Sequence, residues 1–244
     1  MKTVVILVAS LIFASVLFQG CSTPHVSKSA DAIFKEGEQL FQNGNYDGAI
    51  TQWKKVKETY QSPELTTKAE LNIANAYFLN KDYIEAAAGY EDFRKMHPKH
   101  AQADFALYRQ GLSYFNQIQG IDTDQAPVKN AQSTFNSYLQ LYPSGAQMAE
   151  VQEKQRECRD KQLQYELYVG RFYLKADAYK AAISRFEESL KMFADSARRD
   201  EVLFYLGTAY LKDGQKEKGR DVFAQLIREF PGSAYAADAG KAMN

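Results

Sequence analysis

The chain has 244 residues, of which 30 are basic and 30 acidic, so no excess of charge points to nucleic acid or to another highly charged surface. It contains only two cysteines, and a chain of this length can bury an ample apolar core. The composition therefore excludes a fold held by a disulfide framework.

The first twenty residues have the organisation of a secretory signal peptide. Lys2 carries the only charged side chain before an apolar run from Thr3 to Phe18, which is interrupted only by one threonine and two serines. That length is typical of the apolar region of a signal peptide and is shorter than a membrane span. We therefore expect residues 1–20 to be a signal peptide.

Gly20 and Cys21 follow this run and allow two interpretations. One is an ordinary secretory signal with a cysteine nearby by chance. The other is a bacterial lipoprotein signal, because the segment resembles the lipobox Leu-Ala-Gly-Cys in its last two residues, although the two residues before them depart from it. The lipobox resemblance implies cleavage before Cys21, acylation of its thiol and a lipidated tether over 21–29, and Ser22 is compatible with sorting to the outer membrane. Several acyl chains anchor a protein stably, and Cys158 would then have no cysteine partner.

Five units of similar sequence follow the tether. In each, a small residue precedes an aromatic residue by four positions, and the small residues are spaced by 37, 45, 51 and 37. Spacings of three and four residues place side chains on one face of a helix, and a helical hairpin buries such a face only by stacking on the next hairpin. The small residues are Ala49, Ala86, Ala131, Ala182 and Gly219, and the aromatic residues are Trp53, Tyr90, Phe135, Phe186 and Phe223.

This pattern resembles the tetratricopeptide repeat (TPR) and predicts an all-α solenoid of five helix-turn-helix units over residues 30–244. The third unit has eight extra residues, which fall between its two helices. Residues 146–175 contain no helix breaker and predict one helix of about 45 Å that leads into unit four. The units are expected near 30–63, 64–99, 100–144, 146–195 and 196–233, followed by a short C-terminal helix.

Catalytic motifs are missing from the sequence: it has no Gly-x-Ser-x-Gly, no His-Glu-x-x-His and no phosphate-binding loop. His97 and His100 flank a proline in a predicted turn with no third ligand nearby, so solvated turn residues are favoured over a metal pair. Arg156 and Arg159 could lower the pKa of the Cys158 thiol, but a partly buried structural thiol is the favoured interpretation. We therefore predict a protein that is not an enzyme and needs no metal or cofactor.

In TPR proteins the first helix of each unit lines a groove. Two sets of candidate binding residues lie on these helices or beside them: aromatic residues for a peptide groove and cationic residues for a partner interface. The alternative for each aromatic residue is packing as core against the next helix, and the alternative for Arg185 is a local pair with Glu188. The predicted peptide groove consists of Phe34, Phe41, Phe78, Tyr108 and Phe115, and the predicted partner interface of Arg171, Lys175, Arg185 and Lys212.

The third-unit insertion, the stretch "AQSTFNSYLQLYPSGAQ" and the long helix through "CRDKQLQYELYVGRFYLKADAYKAAISRFEESL" resemble the BamD family of TPR lipoproteins. The resemblance implies a scaffold, lipid-anchored at the periplasmic face of the outer membrane, in the machinery that inserts β-barrels there. It also implies that the C-terminal units hold a BamA-like barrel-forming subunit, with Arg185 matching a family arginine of that interface. The N-terminal units would engage unfolded outer-membrane protein segments or regulate that subunit, and other assembly lipoproteins are expected partners.

A TPR pilotin, which assembles a secretin ring, is the alternative. Pilotins share the lipid anchor and the repeats, so neither feature separates the two classes. The third-unit insertion together with the long helix favours the assembly scaffold. No nucleic-acid partner is expected for either class.

Overall fold

The computed structural model describes residues 28–59 and 62–243, and these residues form eleven α-helices. The predicted signal peptide, Cys21 and most of the predicted tether lie outside the described residues. The helices are α1 (Ala30–Gln42), α2 (Tyr46–Thr59), α3 (Pro63–Leu79), α4 (Tyr83–Met96), α5 (Ala103–Asn116), α6 (Ala126–Leu141), α7 (Met148–Lys175), α8 (Tyr179–Met192), α9 (Arg199–Lys212), α10 (Lys216–Glu229) and α11 (Ala234–Met243).

Consecutive helices pack as antiparallel hairpins. In the first hairpin, Trp53 Nε1 donates to the Phe34 carbonyl oxygen at 3.3 Å, while Phe41 at the end of α1 contacts Tyr46 at the start of α2. Each helix packs against the next along the chain, so five hairpins stack in order and α11 covers the last one. The predicted all-α repeat solenoid is confirmed.

Glycines in four first helices lie directly against an aromatic ring of the second helix. A Cβ atom built on Gly170 would lie 2.4 Å from Phe186 Cε1, which is closer than two such atoms can pack. The backbone of one helix therefore touches the ring of the other, and this contact sets how the two helices cross. The same arrangement joins Gly37 to Trp53, Gly111 to Phe135 and Gly207 to Phe223.

The turn between the two helices of a unit uses a left-handed backbone residue in four of the units. Gly44 and Gly214 have φ values of 75° and 81°, and Lys81 and Asp177 occupy the corresponding position with 68° and 57°. Glycine adopts this conformation without the steric cost that other residues meet. In unit three the longer loop 117–125 joins the two helices instead.

Helix α7 is twice as long as α8, with 28 residues against 14, and it belongs to two units. Its first part packs against α5 and α6 through Val151 and Cys158, and its second part packs against α8 and α9 through Leu167 and Leu174. Arg159 pairs with Asp195 after α8, so α8 ends about 16 Å along α7 from its start. Units four and five are therefore displaced along the helix direction relative to units one to three.

Cys158 lies in the interior of this junction. Its side chain is fully buried, and burial raises the pKa of the thiol to about 12. A thiol that stays protonated at neutral pH is a poor nucleophile, which favours the structural interpretation over the reactive one. Over the described part of the chain, no helix combines the length and the apolar character needed to cross a bilayer.

Candidate partner-binding cleft

A cleft of about 530 Å³ opens where α7, the start of α9 and the loop 117–125 meet. Helix α7 supplies most of its lining, because residues three and four apart share one helix face. Ile121 of the loop and Arg198 and Glu201 at the start of α9 complete the lining. The α7 residues are Gln164, Leu167, Tyr168, Arg171, Phe172 and Lys175.

Two aromatic rings on α7 stand open at this cleft. Tyr168 is 45% exposed and Phe172 is 61% exposed, whereas Leu167, the residue before Tyr168, is buried in the core. Most large apolar side chains of a folded chain are covered, so adjacent open rings mark a surface that suits a binding partner.

Two arginine side chains of the cleft lie close to a single carboxylate, that of Glu201. Arg171 Nη1 lies 3.9 Å from Glu201 Oε1, and its guanidinium stands over the Tyr205 ring at 5.0 Å. Arg198 Nη1 donates to Glu201 Oε2 at 3.4 Å. Glu201 is buried, so two cations share a single covered carboxylate and keep part of their hydrogen-bonding capacity.

Lys175 adds a further cation at the mouth of the cleft. It is exposed and forms no ion pair with the residues that the structure describes. Arg198 also donates from Nε to Asp160 Oδ1 at 2.9 Å, which ties α9 to the middle of α7. The cleft therefore combines open aromatic surface with an excess of positive charge, an arrangement complementary to an acidic and apolar partner surface.

Of the four cations predicted to form a partner interface, the structure brings Arg171 and Lys175 to this cleft. Arg185 Nη1 of α8 instead donates to Glu166 Oε2 at 2.9 Å, and this carboxylate raises the pKa of the Arg185 guanidinium. Glu166 lies on the side of α7 away from Gln164, since two residues turn a helix by about 200°. Lys212 stands at 5.9 Å from the Tyr179 ring centroid.

Arg185 pairs with Glu166 and not with Glu188, the local partner that the alternative interpretation named. Residues on a single helix face were the only partners that the sequence pattern could offer. Glu166 lies 19 positions earlier and on another helix, and the packing of α8 on α7 brings it within reach.

The five residues of the predicted aromatic groove differ in how deeply they are buried. Phe34 and Tyr108 are 7% and 8% exposed, so both rings belong to the core, as the alternative interpretation expected. Phe41, Phe78 and Phe115 are half-buried and keep some surface. Their rings are also used inside the protein: Phe41 packs on Trp53 at 5.5 Å, Phe78 lies under the Arg109 guanidinium at 4.4 Å, and Phe115 lies under Lys154 at 4.5 Å.

Several cleft residues were not predicted from the sequence. Tyr168 and Phe172 lie next to the core stripe of α7, and the density of aromatic residues around Gly170 was the available signal. No sequence pattern indicates Ile121, Arg198 and Glu201 as cleft residues, because only the fold brings their separate segments together.

The stacked helical hairpins define a TPR-type helical repeat protein. The family model described as YfiO, outer membrane lipoprotein, matches residues 26–222. The chain belongs to this family.

Curated relatives named outer membrane protein assembly factor BamD are similar over most of the chain. The one from Rickettsia prowazekii is 27% identical and covers 94% of this chain and 93% of its own length. Those from Caulobacter vibrioides and Vibrio cholerae are 26% and 28% identical, covering 89% and 77% of this chain and 71% and 83% of their own.

Solved TPR structures are also similar to the chain. The TPR2AB domain complex of yeast Sti1 has a TM-score of 0.45 at 15% identity, with 87% of this chain and 83% of that chain covered. A thermophilic TPR protein of Thermus thermophilus has a TM-score of 0.37 at 15% identity, with 88% and 99% covered.

Proposed function

We propose that this chain is a non-catalytic scaffold lipoprotein of an outer-membrane protein assembly complex. The observation that carries the proposal is the family match over residues 26–222, together with relatives named for that assembly role. These matches favour the assembly scaffold over the pilotin. The repeat solenoid supplies the extended surfaces that scaffolds use.

The cleft on α7 is the proposed site for a BamA-like barrel-forming subunit. Tyr168 and Phe172 offer apolar ring surface, and Arg171 offers a guanidinium that can bind a carboxylate in two places. A few side chains carry most of the binding energy at protein interfaces, and tryptophan, tyrosine and arginine are enriched among them. A partner loop that carries an apolar side chain beside an acidic one fits both features.

The N-terminal units are the proposed contact for unfolded outer-membrane protein segments. The available surface there lies at Phe41, Phe78 and Phe115, which are half-buried and follow one another along the stack. An extended apolar segment could lie across these rings. Other assembly lipoproteins are further proposed partners, and the lipid at Cys21 would hold the protein at the periplasmic face of the outer membrane.

The proposal is tested by purifying the chain with an affinity tag from detergent-solubilised membranes and identifying what accompanies it. Recovery of a barrel-assembly subunit is the expected result. Recovery of a secretin without any barrel-assembly subunit would overturn the proposal in favour of a pilotin.

Cys21→Ser is expected to abolish incorporation of a radiolabelled fatty acid, because only the thiol can receive the first acyl group of a lipoprotein. Metabolic labelling followed by immunoprecipitation measures this directly. Cys158→Ser is the matched control and should keep the full label, since that thiol is buried. Equal labelling of the Cys21 variant and the unchanged chain would rule out the anchor.

Arg185→Glu is expected to weaken co-purification with the barrel-forming subunit if Arg185 contacts the partner, as the family resemblance implies. The change also places the new carboxylate beside that of Glu166. Loss of the partly exposed ion pair between Arg185 and Glu166 should lower the free energy of unfolding by at most about 1 kcal/mol. The charge swap Arg185→Glu with Glu166→Arg restores the pair. Weakened binding that persists in the swap supports a direct contact, and binding restored by the swap shows that Arg185 only ties α8 to α7.

A further inference from the structure

One edge of the solenoid collects the turns that join successive units. Because the helices alternate in direction, α1 begins at this edge and α2, α4 and α6 end there. Lys57 at the end of α2 lies 3.3 Å from Glu70 near the middle of α3, and His97, just after the end of α4, lies 2.7 Å from the same carboxylate. We call the part of this edge formed by residues 96–100 and 141–148 the anchor edge.

The anchor edge exposes one large apolar side chain from each of two neighbouring units. Met96 is the last residue of α4 and is 52% exposed, and Leu141 is the last residue of α6 and is 59% exposed. Each lies ten residues after the anchoring alanine of its unit. Equal positions in stacked repeats lie side by side, so the two side chains project from neighbouring turns.

The second of these turns belongs to a stretch without charge. Between Lys129 and Glu150 the chain contains no Asp, Glu, Lys, Arg or His. The turn presents Leu141, Tyr142 and Pro143, and the Tyr142 ring packs on Tyr138 at 5.5 Å. The neighbouring turn carries Lys99 three residues after Met96, together with His97 and His100. Leucine or methionine with tyrosine and lysine nearby is typical of surfaces that lie at the lipid headgroup level.

The path of the chain also leads to this edge. Helix α1 begins at Ala30, and the nine residues from Cys21 to Ala30 can span at most about 30 Å. An acyl group on Cys21 therefore keeps the start of α1, and the edge on which it lies, within that distance of the bilayer.

We propose that the anchor edge rests on the lipid surface, with Met96 and Leu141 inserted at the boundary between headgroups and acyl chains. This inference rests on the proposed lipid anchor at Cys21. The anchor supplies the attachment, and the two side chains fix which edge of the solenoid faces the membrane. The contact is limited to units two and three, because the displacement along α7 moves the corresponding Met192 away from this edge.

This orientation has a consequence for the rest of the solenoid. The opposite edge carries Ile84, which is 70% exposed at the first turn of α4, and the acidic loop around Asp122 and Asp124. That edge would face the periplasm and stay available to protein partners. The two ends of α4 thus present apolar side chains to different surroundings.

The test uses depth-dependent fluorescence quenching of the complete lipidated chain. The only native tryptophan, Trp53, is 1% exposed and supplies a constant background. Met96→Trp and Leu141→Trp place a second tryptophan at the anchor edge. Ile84→Trp is the matched control, because residue 84 lies on the same helix as residue 96, about 18 Å away at its other end.

The variants are bound to vesicles of phosphatidylethanolamine and phosphatidylglycerol containing phosphatidylcholine brominated on its acyl chains. Met96→Trp and Leu141→Trp are expected to show a blue-shifted emission and a loss of intensity relative to unbrominated vesicles, and Ile84→Trp neither. Equal quenching of all three, or quenching of none while the protein floats with the vesicles, would overturn the proposal and leave the edge to a protein partner or to solvent. Failure of the unchanged chain to float would instead remove the anchor, and this inference with it.

Discussion

Phe186→Ala is expected to lower the free energy of unfolding by about 3–5 kcal/mol, the range for removing a buried ring from a core. The ring is completely buried, and it fills the space between α8 and the backbone of α7 at Gly170. Glycine has no side chain that could move into the cavity. Because natural domains are stable by only about 5–15 kcal/mol, this loss is a large part of the total. Urea titration of the purified chain, followed by circular dichroism, measures it.

Phe172→Ala is the control for this prediction. It removes the same side chain from the neighbouring helix, but Phe172 is 61% exposed, so its loss should change the free energy of unfolding by no more than about 0.5 kcal/mol. Similar urea midpoints for the two variants would show that the contact between Gly170 and Phe186 does not stabilise unit four. The assignment of equivalent positions in the repeats would then be wrong.

The register itself could be predicted because it depends on contacts that recur in each unit. A small residue on the first helix and an aromatic on the second leave a periodic signal, and Gly37 with Trp53 repeats as Gly207 with Phe223. The same periodicity placed Phe34 and Tyr108 on the groove side of their helices. It could not predict how deeply they lie, and both rings are buried in the core.

The cleft could be predicted only in part, because it is assembled from segments that do not repeat. Arg171 and Lys175 share a face of α7 and could be found by helical spacing. Their surroundings could not, since the loop around Ile121 and the carboxylate of Glu201 reach the cleft only through the packing of α7, α9 and the third-unit insertion. The ion pair between Arg185 and Glu166, which are 19 positions apart in the sequence, likewise forms only because α8 packs on α7.

The second large effect is expected on partner binding. It is tested first with Phe172→Ala, the variant that should leave the free energy of unfolding nearly unchanged. Phe172→Ala should reduce co-purification with the barrel-forming subunit by at least about tenfold, which corresponds to about 1.4 kcal/mol, because an exposed ring beside cations is the kind of side chain that anchors an interface. Lys175→Glu should reduce it as well, since it reverses the charge at the cleft mouth without disturbing an ion pair among the described residues. Arg171→Glu is less informative, because its carboxylate would stand next to that of Glu201.

Lys129→Glu is the matched charge control for this prediction. Lys129 is exposed on α6, lies outside the cleft lining and undergoes the same change in charge, so co-purification should stay unchanged. Binding is measured by quantitative co-purification at two salt concentrations, and thermal melts by circular dichroism check that each variant is folded. An electrostatic contribution from Lys175 predicts that its variant differs most from the unchanged chain at low salt, where charges are least screened. Full binding by both Phe172→Ala and Lys175→Glu, with unchanged melts, would show that the subunit docks elsewhere on the solenoid.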